Sequence, residues 1–269
     1  VSWSEADSEI KSQLAAIKAK GGVIKVVAES TSSPSTKAAL VKFDEMYSVE
    51  KEVELFDEFG DVIGVEVVKE SAILTYDAIN YNGILKANKA DFGTAIIPTY
   101  DFSKAKTIVS LDADFLGDWL DSVTYSKGYT QRRKPDGAWM SKHFQFESVM
   151  TTTGSNADVR IPIKPSEEGL VAAAILKHLT GTSVPGVTVN ADLMERTKLV
   201  ASELKANQGK SLVVAGSNCS GTQTIINAIN NALGSYGSTI NLNNPVSIAN
   251  GNDAEVETLV KEVEAGQVD

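Results

Sequence analysis

Lys106-Thr107-Ile108-Val109-Ser110-Leu111 runs directly into Asp112-Ala113-Asp114, and this stretch decides the fold class. A short, almost continuous apolar run rich in β-branched residues reads as a strand buried on both faces. Strands of that kind belong to parallel sheets, where helices cover both sides. The acids that follow mark the carboxyl end of the strand, where open α/β sheets hold their ligands. Working outward, strand candidates recur at Val23–Ala28, Glu50–Phe56, His143–Glu147, Val159–Ile163 and Ser211–Ala215. Helical patterns alternate with them. One is capped by Ser4 and runs to about Lys20, with Ile10, Leu14 and Ile17 on one face and Gly21-Gly22 ending it. A second begins with Ser33 as N-cap and Pro34 in the first position, and ends near Tyr47. Others cover Thr75–Asn88, an Ala-rich stretch from a Ser166 cap to Gly181, Ala191–Asn207, a segment ending at Leu233, and the residues after Asp253. This alternation predicts an α/β fold of parallel β/α units. Residues 121–142 read as a long polar connection, the kind that often serves function or an interface.

Composition narrows the function classes. The 269 residues carry 25 Lys+Arg against 35 Asp+Glu, a formal charge of -10, with 42% hydrophobic and 22% charged residues. That is the balance of a soluble globular protein long enough for one large domain or two lobes. No apolar run approaches the length of a membrane span, so direct membrane insertion is not expected. Acidity argues against a general nucleic-acid surface, which needs a basic face. The single cysteine, Cys219, and two histidines, His143 and His178, weaken disulfide, iron–sulfur and simple zinc readings. The chain starts at Val1 and stops at Asp269, right after a helical pattern, and reads as a piece of a longer polypeptide.

Four groups of residues are candidates for chemistry. Gly216-Ser217-Asn218-Cys219-Ser220-Gly221 lies between a strand and a helix, where backbone amides and the helix terminus can cradle an anion. A phosphate loop would need Lys after the second Gly; this chain has Thr222-Gln223, so an ordinary β-to-α turn is the better reading. Cys219 at that terminus has no His partner pattern and reads poorly as a nucleophile. Asp112, Asp114 and Asp118 offer oxygens for a hard cation, although such clusters are more often solvated loops with an N-cap. Arg132-Arg133-Lys134 can meet an acidic partner or a phosphate, against the plainer reading of a solvated loop. Both histidines read as structural.

Several segments, in order, resemble the large subunit of molybdopterin oxidoreductases of the dimethyl-sulfoxide-reductase-like family. Ser2-Trp3-Ser4-Glu5-Ala6 is similar to the family's "s-W-d-E-A"; Ile108–Asp114 matches the strand and loop usually written "G-x-N-P". Phe146-Glu147-Ser148 falls at "D-P-R", and Ala157-Asp158 at the following "A-D". Ile163-Lys164-Pro165-Ser166-Glu167-Glu168 resembles "i-r-P-G-T-D", and Leu233–Gly237 the late "L-x-G-n-x-G". The wording of 108–119, 144–171 and 232–240 is nearest to the large iron–sulfur subunit of alternative complex III, a membrane-attached quinol-oxidising assembly.

That resemblance implies two Rossmann-like lobes with mainly parallel sheets, one inserted in the other: 1–60 with 236–269, and 61–235 between them. It implies placement on the periplasmic side of the inner membrane, partner subunits of a respiratory complex, and iron–sulfur clusters elsewhere in the full subunit. The cofactor-contacting positions would be Asp112, Glu147, Lys164, Gly216 and Ser217. Departures from the motifs put Asp112 and Asp114 where a pyrophosphate would lie, and replace Gly by charge at Ser166-Glu167-Glu168. The expectation is therefore a non-catalytic scaffold without bound cofactor. The alternatives are a catalytic domain holding molybdopterin guanine dinucleotide, or an independent nucleotide- or sugar-binding protein. A filled cleft with Arg160 and Lys164 turned to solvent would favour the scaffold.

Overall fold

A computed structural model describes residues 1–269, the side chain of Phe56 excepted. In chain order the elements are α1 (Trp3–Ala19), β1 (Val26–Ala28), α2 (Pro34–Tyr47), β2 (Val49–Phe56), β3 (Val62–Glu70), β4 (Ile73–Thr75), α3 (Asn82–Phe92) and β5 (Ile97–Tyr100). There follow β6 (Thr107–Leu111), α4 (Ser122–Thr130), β7 (Lys142–Glu147), α5 (Thr152–Ser155), β8 (Val159–Pro162) and α6 (Glu168–Thr180). The chain continues with α7 (Ala191–Ala206), β9 (Ser211–Ala215), α8 (Ser220–Ala232), β10 (Ile240–Val246) and α9 (Asp253–Glu264). The fold is α/β, with mainly parallel strand pairing.

The chain forms two compact units, Val1–Asn80 with Ser247–Asp269, and Tyr81–Val246. The sequence boundaries at 60/61 and 235/236 move to 80/81 and 246/247 for a local reason. β4 pairs in parallel with β1 and keeps residues through 75 in the first unit, while β10 pairs antiparallel with β5 and stays in the second.

In the second unit β6 to β9 make a four-stranded parallel sheet in the order β8-β7-β6-β9. Numbered from its own first strand this is 3-2-1-4, four of the six strands of the doubly wound order 3-2-1-4-5-6. The chain reverses direction across the sheet between β6 and β9, so the switch point lies there. Alternation along each strand divides the core. Ile108, Leu212 and Val214 face a cluster with Phe102, Phe115 and Tyr125, while Val109, Leu111 and Val213 face one built with α6, α7 and α8. Ile108, Val109 and Leu111 are fully buried, each contributing about 1.5–3 kcal/mol of burial. Two buried serines of these strands are satisfied locally: Ser110 Oγ donates to Ala113 O at 2.9 Å and Ser211 Oγ to Leu204 O at 2.8 Å.

The first unit holds the short β1–β4 pair, the antiparallel β2–β3 hairpin, and helices α1, α2 and α9. Asp77 organises it, accepting from Ser30 N (2.9 Å), Ser30 Oγ (2.7 Å) and Gly251 N (2.7 Å). Those bonds hold the chain after β4 in a turn, which is why the helix expected over Thr75–Asn88 begins only at Asn82.

Other boundaries move for equally local reasons. The α1 cap is Ser2, not Ser4, because Glu5 reaches back to the Ser2 amide in a capping box. Ser166 lies inside a 3₁₀ turn, Pro165–Glu167, that precedes α6. The connection 121–142 contains α4, capped by Asp121 accepting from Thr124 N at 3.2 Å. β3, β4, β5 and β10 match none of the strand candidates in the sequence. Ser33 caps α2 with Pro34 at its first turn, as the sequence indicates.

Candidate functional site

The switch point is built from three strand ends. Asp112 follows β6, Glu147 ends β7, and Gly216-Ser217 follow β9; parallel register brings these backbones to one edge of the sheet. Gly216 N donates to Leu111 O at 2.8 Å, and Asp112 N to Phe146 O at 2.7 Å. The two loops touch so closely that a Cβ on Gly216 would sit 2.3 Å from Asp112 O. Asp112 itself has φ 51°, the left-handed region that short polar side chains tolerate best.

The side chains turn to separate partners. Asp112 accepts from Ser148 N (3.4 Å) and Ser148 Oγ (3.2 Å). Glu147 is fully buried, accepts from Arg160 Nε at 2.5 Å and from Thr151 Oγ1 at 2.7 Å, and lies against Gly154. Asp114 accepts from Thr153 N (2.9 Å) and Thr153 Oγ1 (2.6 Å) at the start of α5. Asp118 is exposed, and no group of three metal-ligating side chains occurs among the described residues. Lys164 is exposed, and its backbone amide donates to Glu167 Oε2 at 2.9 Å.

Glu168 is not among the five cofactor-contacting positions expected from the sequence, although the sequence does place carboxylates of 164–168 in the cleft. It opens α6, is 8% exposed, and accepts from Ser217 N at 3.0 Å. A protein carboxylate thus holds the amide that a bound phosphate would need. Burial pushes its carboxyl up from the ordinary 4.5 to about 7; Asp112 adds to the rise, and the Ser217 bonds oppose it. The available signal was an acid placed directly before Gly169-Leu170-Val171-Ala172-Ala173-Ala174, a run that packs in the core.

The rest of the 216–221 loop is also engaged. Buried Gln223 donates through Nε2 to Ala215 O (3.0 Å) and Ser217 O (2.7 Å), and Cys219 N donates to Ser217 Oγ at 3.3 Å. Amides of Thr222 and Gly221 hold the exposed Cys219 thiol below its ordinary value.

No protein-family profile matches the chain, and no curated protein does. Among solved structures it is similar to a chain of the formyltransferase/hydrolase complex (FhcABCD) from Methylorubrum extorquens in complex with methylofuran, at 10% identity and a TM-score of 0.39. The match covers 73% of this chain and 51% of that one, so the chain spans about half the length of its structural neighbour.

The remaining candidates have structural work. Arg133 makes a paired contact with Asp158 at 2.7 and 2.9 Å and also donates to Ser141 O. Arg132 donates to Ser103 O at 2.7 Å and lies 4.3 Å over the Trp139 ring. Neither arginine is a free solvated charge, because α4 brings both back onto the body of the unit; only Lys134 is exposed. His143 is buried, with Nδ1 3.2 Å from Tyr129 Oη and Nε2 3.2 Å from Gln145 Oε1. His178 Nε2 donates to Met194 O at 2.8 Å.

Two buried groups give opposite pH dependences. Glu168 has a folded pKa raised to about 7, so it favours the folded state fully below about 4.5 and loses that contribution as pH rises to 7. Burial lowers His143 from 6.5 to about 4, so its contribution is present above 6.5 and lost as pH falls to 4. Comparing Glu168→Gln with the parent isolates the first effect. The variant is expected to gain relative stability from near zero at pH 4.5 to about 3 kcal/mol at pH 8. Urea unfolding across that range measures it, and a difference independent of pH would refute the assignment.

Proposed function

We propose that the chain is the molybdopterin-oxidoreductase-like part of a respiratory, quinol-oxidising complex subunit, acting as a scaffold without a cofactor of its own. One observation carries the cofactor-free part of this reading: the Glu168 carboxylate on the Ser217 amide at the β6–β9 switch point. A dinucleotide's pyrophosphate needs free donors and few anions nearby. Here the amide is taken by an acid, Asp112 lies on the same edge, and Arg160 is committed to buried Glu147. The residues present do not fit the phosphates of molybdopterin guanine dinucleotide. Lys164 points to solvent, whereas Arg160 turns inward to neutralise an acid, so neither basic candidate serves a phosphate.

The scaffold role, the partner subunits, the periplasmic placement and the iron–sulfur clusters elsewhere in the subunit rest on the segmental resemblance. No helix among the described residues is long and apolar enough to cross a membrane, which agrees with a peripheral position. The competing reading, a nucleotide-binding domain, is favoured by the 3-2-1-4 strand order and the glycine-bearing loop at its switch point.

Calorimetric titration with guanosine diphosphate separates the two. The scaffold reading expects no specific binding at submillimolar concentration, and saturable submillimolar binding overturns it. Molybdenum analysis of the full-length native subunit is the independent check. Stoichiometric metal with extractable pterin would establish the catalytic alternative instead.

A further inference from the structure

The β2–β3 hairpin is thinly covered for its apolar content. Its two strands pair only with each other, leaving both outer edges without a neighbouring strand among the described residues. Register places Glu50, Glu52 and Glu54 of β2 opposite Lys69, Val67 and Val65 of β3, on one face. Val65 and Val67 are 56% and 58% exposed. The other face is turned toward the unit's own body: Lys51, Val53 and Val68 line a groove of about 580 Å³ with Thr258 and Glu262 of α9. Lys69 is held by Asp44 at 3.9 Å, while Glu50, Glu52 and Glu54 enter no ion pair among the described residues.

An acidic row beside an aliphatic row is a complementary template. A two-stranded ribbon alone is marginally stable in water, and contiguous exposed aliphatics mark interaction sites. Carboxylates two residues apart on a strand repeat every ~6.8 Å, close to the ~6.0 Å between residues four apart on a helix. One helix, about 10–12 Å across, covers the width of two strands. We propose that this face docks a single amphipathic helix of a partner protein. Its aliphatic stripe lies on Val65 and Val67, and its Lys or Arg residues at i, i+4 and i+8 lie over Glu50, Glu52 and Glu54. The site belongs to the first unit and does not rest on the reading of the β6–β9 cleft.

The test uses the whole chain and two labelled synthetic helical peptides sharing a leucine stripe, one with Lys at i, i+4 and i+8 and one with Glu there. Fluorescence anisotropy should show saturable binding of the Lys peptide only. Val65→Ser with Val67→Ser should weaken it about ten-fold. Glu52→Lys with Glu54→Lys should exchange the preference to the Glu peptide, and this second pair stands even if the serine variant is poorly folded. Glu257→Lys with Glu264→Lys, the same charge change on α9, should leave binding as it was. Equal loss in the α9 control would mean attraction by net charge alone and would overturn the proposal. Absence of saturable binding would do so too, as would self-association in sedimentation that the serine variant abolishes, since a second copy would then be the occupant.

Discussion

Gly216→Ala is expected to lose about 3 kcal/mol or more in urea unfolding, beyond the usual cost of an added methyl. The added Cβ would lie 2.3 Å from Asp112 O and 2.8 Å from Asp112 C, and both are backbone atoms that no rotamer change can move. Relief requires parting the loops after β6 and β9, which breaks the Gly216 N to Leu111 O bond at the end of the β6–β9 pair. Gly221→Ala, five residues on, is the control. Its Cβ meets only Cys219 Sγ at 3.8 Å, so its stability should stay within about 1 kcal/mol of the parent. Equal effects at the two positions would mean that the loops are not in this contact.

Arg160→Ala is expected to cost about 3–5 kcal/mol, because it leaves the fully buried Glu147 carboxylate without its cation. Replacing both partners, as Glu147→Gln with Arg160→Met, should recover most of the loss, since a buried pair contributes little net stability over a neutral pair of similar size. The coupling is read from the four-member cycle in urea at pH 7. If the single and double variants lose the same amount, Arg160 is acting through packing rather than charge. The result bears on function as well. A destabilised single variant with a restored double variant places Arg160 in the fold's own electrostatics, which removes it from any phosphate site.

At the strand ends, close approach and desolvation dominate, and surface charge pairs such as Lys104–Asp101 at 3.1 Å contribute little. The net charge of -10 is therefore a poor guide to the crevice, whose character is set by a few buried acids and what each is bound to.

By itself the sequence determined the fold class and most of the second unit's parallel sheet. Ile108, Val109 and Leu111, or Leu212 to Val214, leave no polar face, so only a strand sandwiched between helices can satisfy them. It also determined the α2 start, where Ser33 and Pro34 act within one turn, and the edge at which Asp112, Glu147 and Gly216 gather, which follows from strand direction. Tertiary structure alone decided where the side chains at that edge go. Arg160 on Glu147, Ser217 on Glu168, and Arg133 on Asp158 join residues 13, 49 and 25 positions apart. The unit boundaries were decided the same way, by β4 finding β1 and β10 finding β5. A periodic pattern reports which face of an element is apolar, because that depends on neighbours within a turn. It carries no record of which distant carboxylate meets which donor, because that is settled by packing, and packing settles whether the crevice is open to a ligand or closed by the protein's own acid.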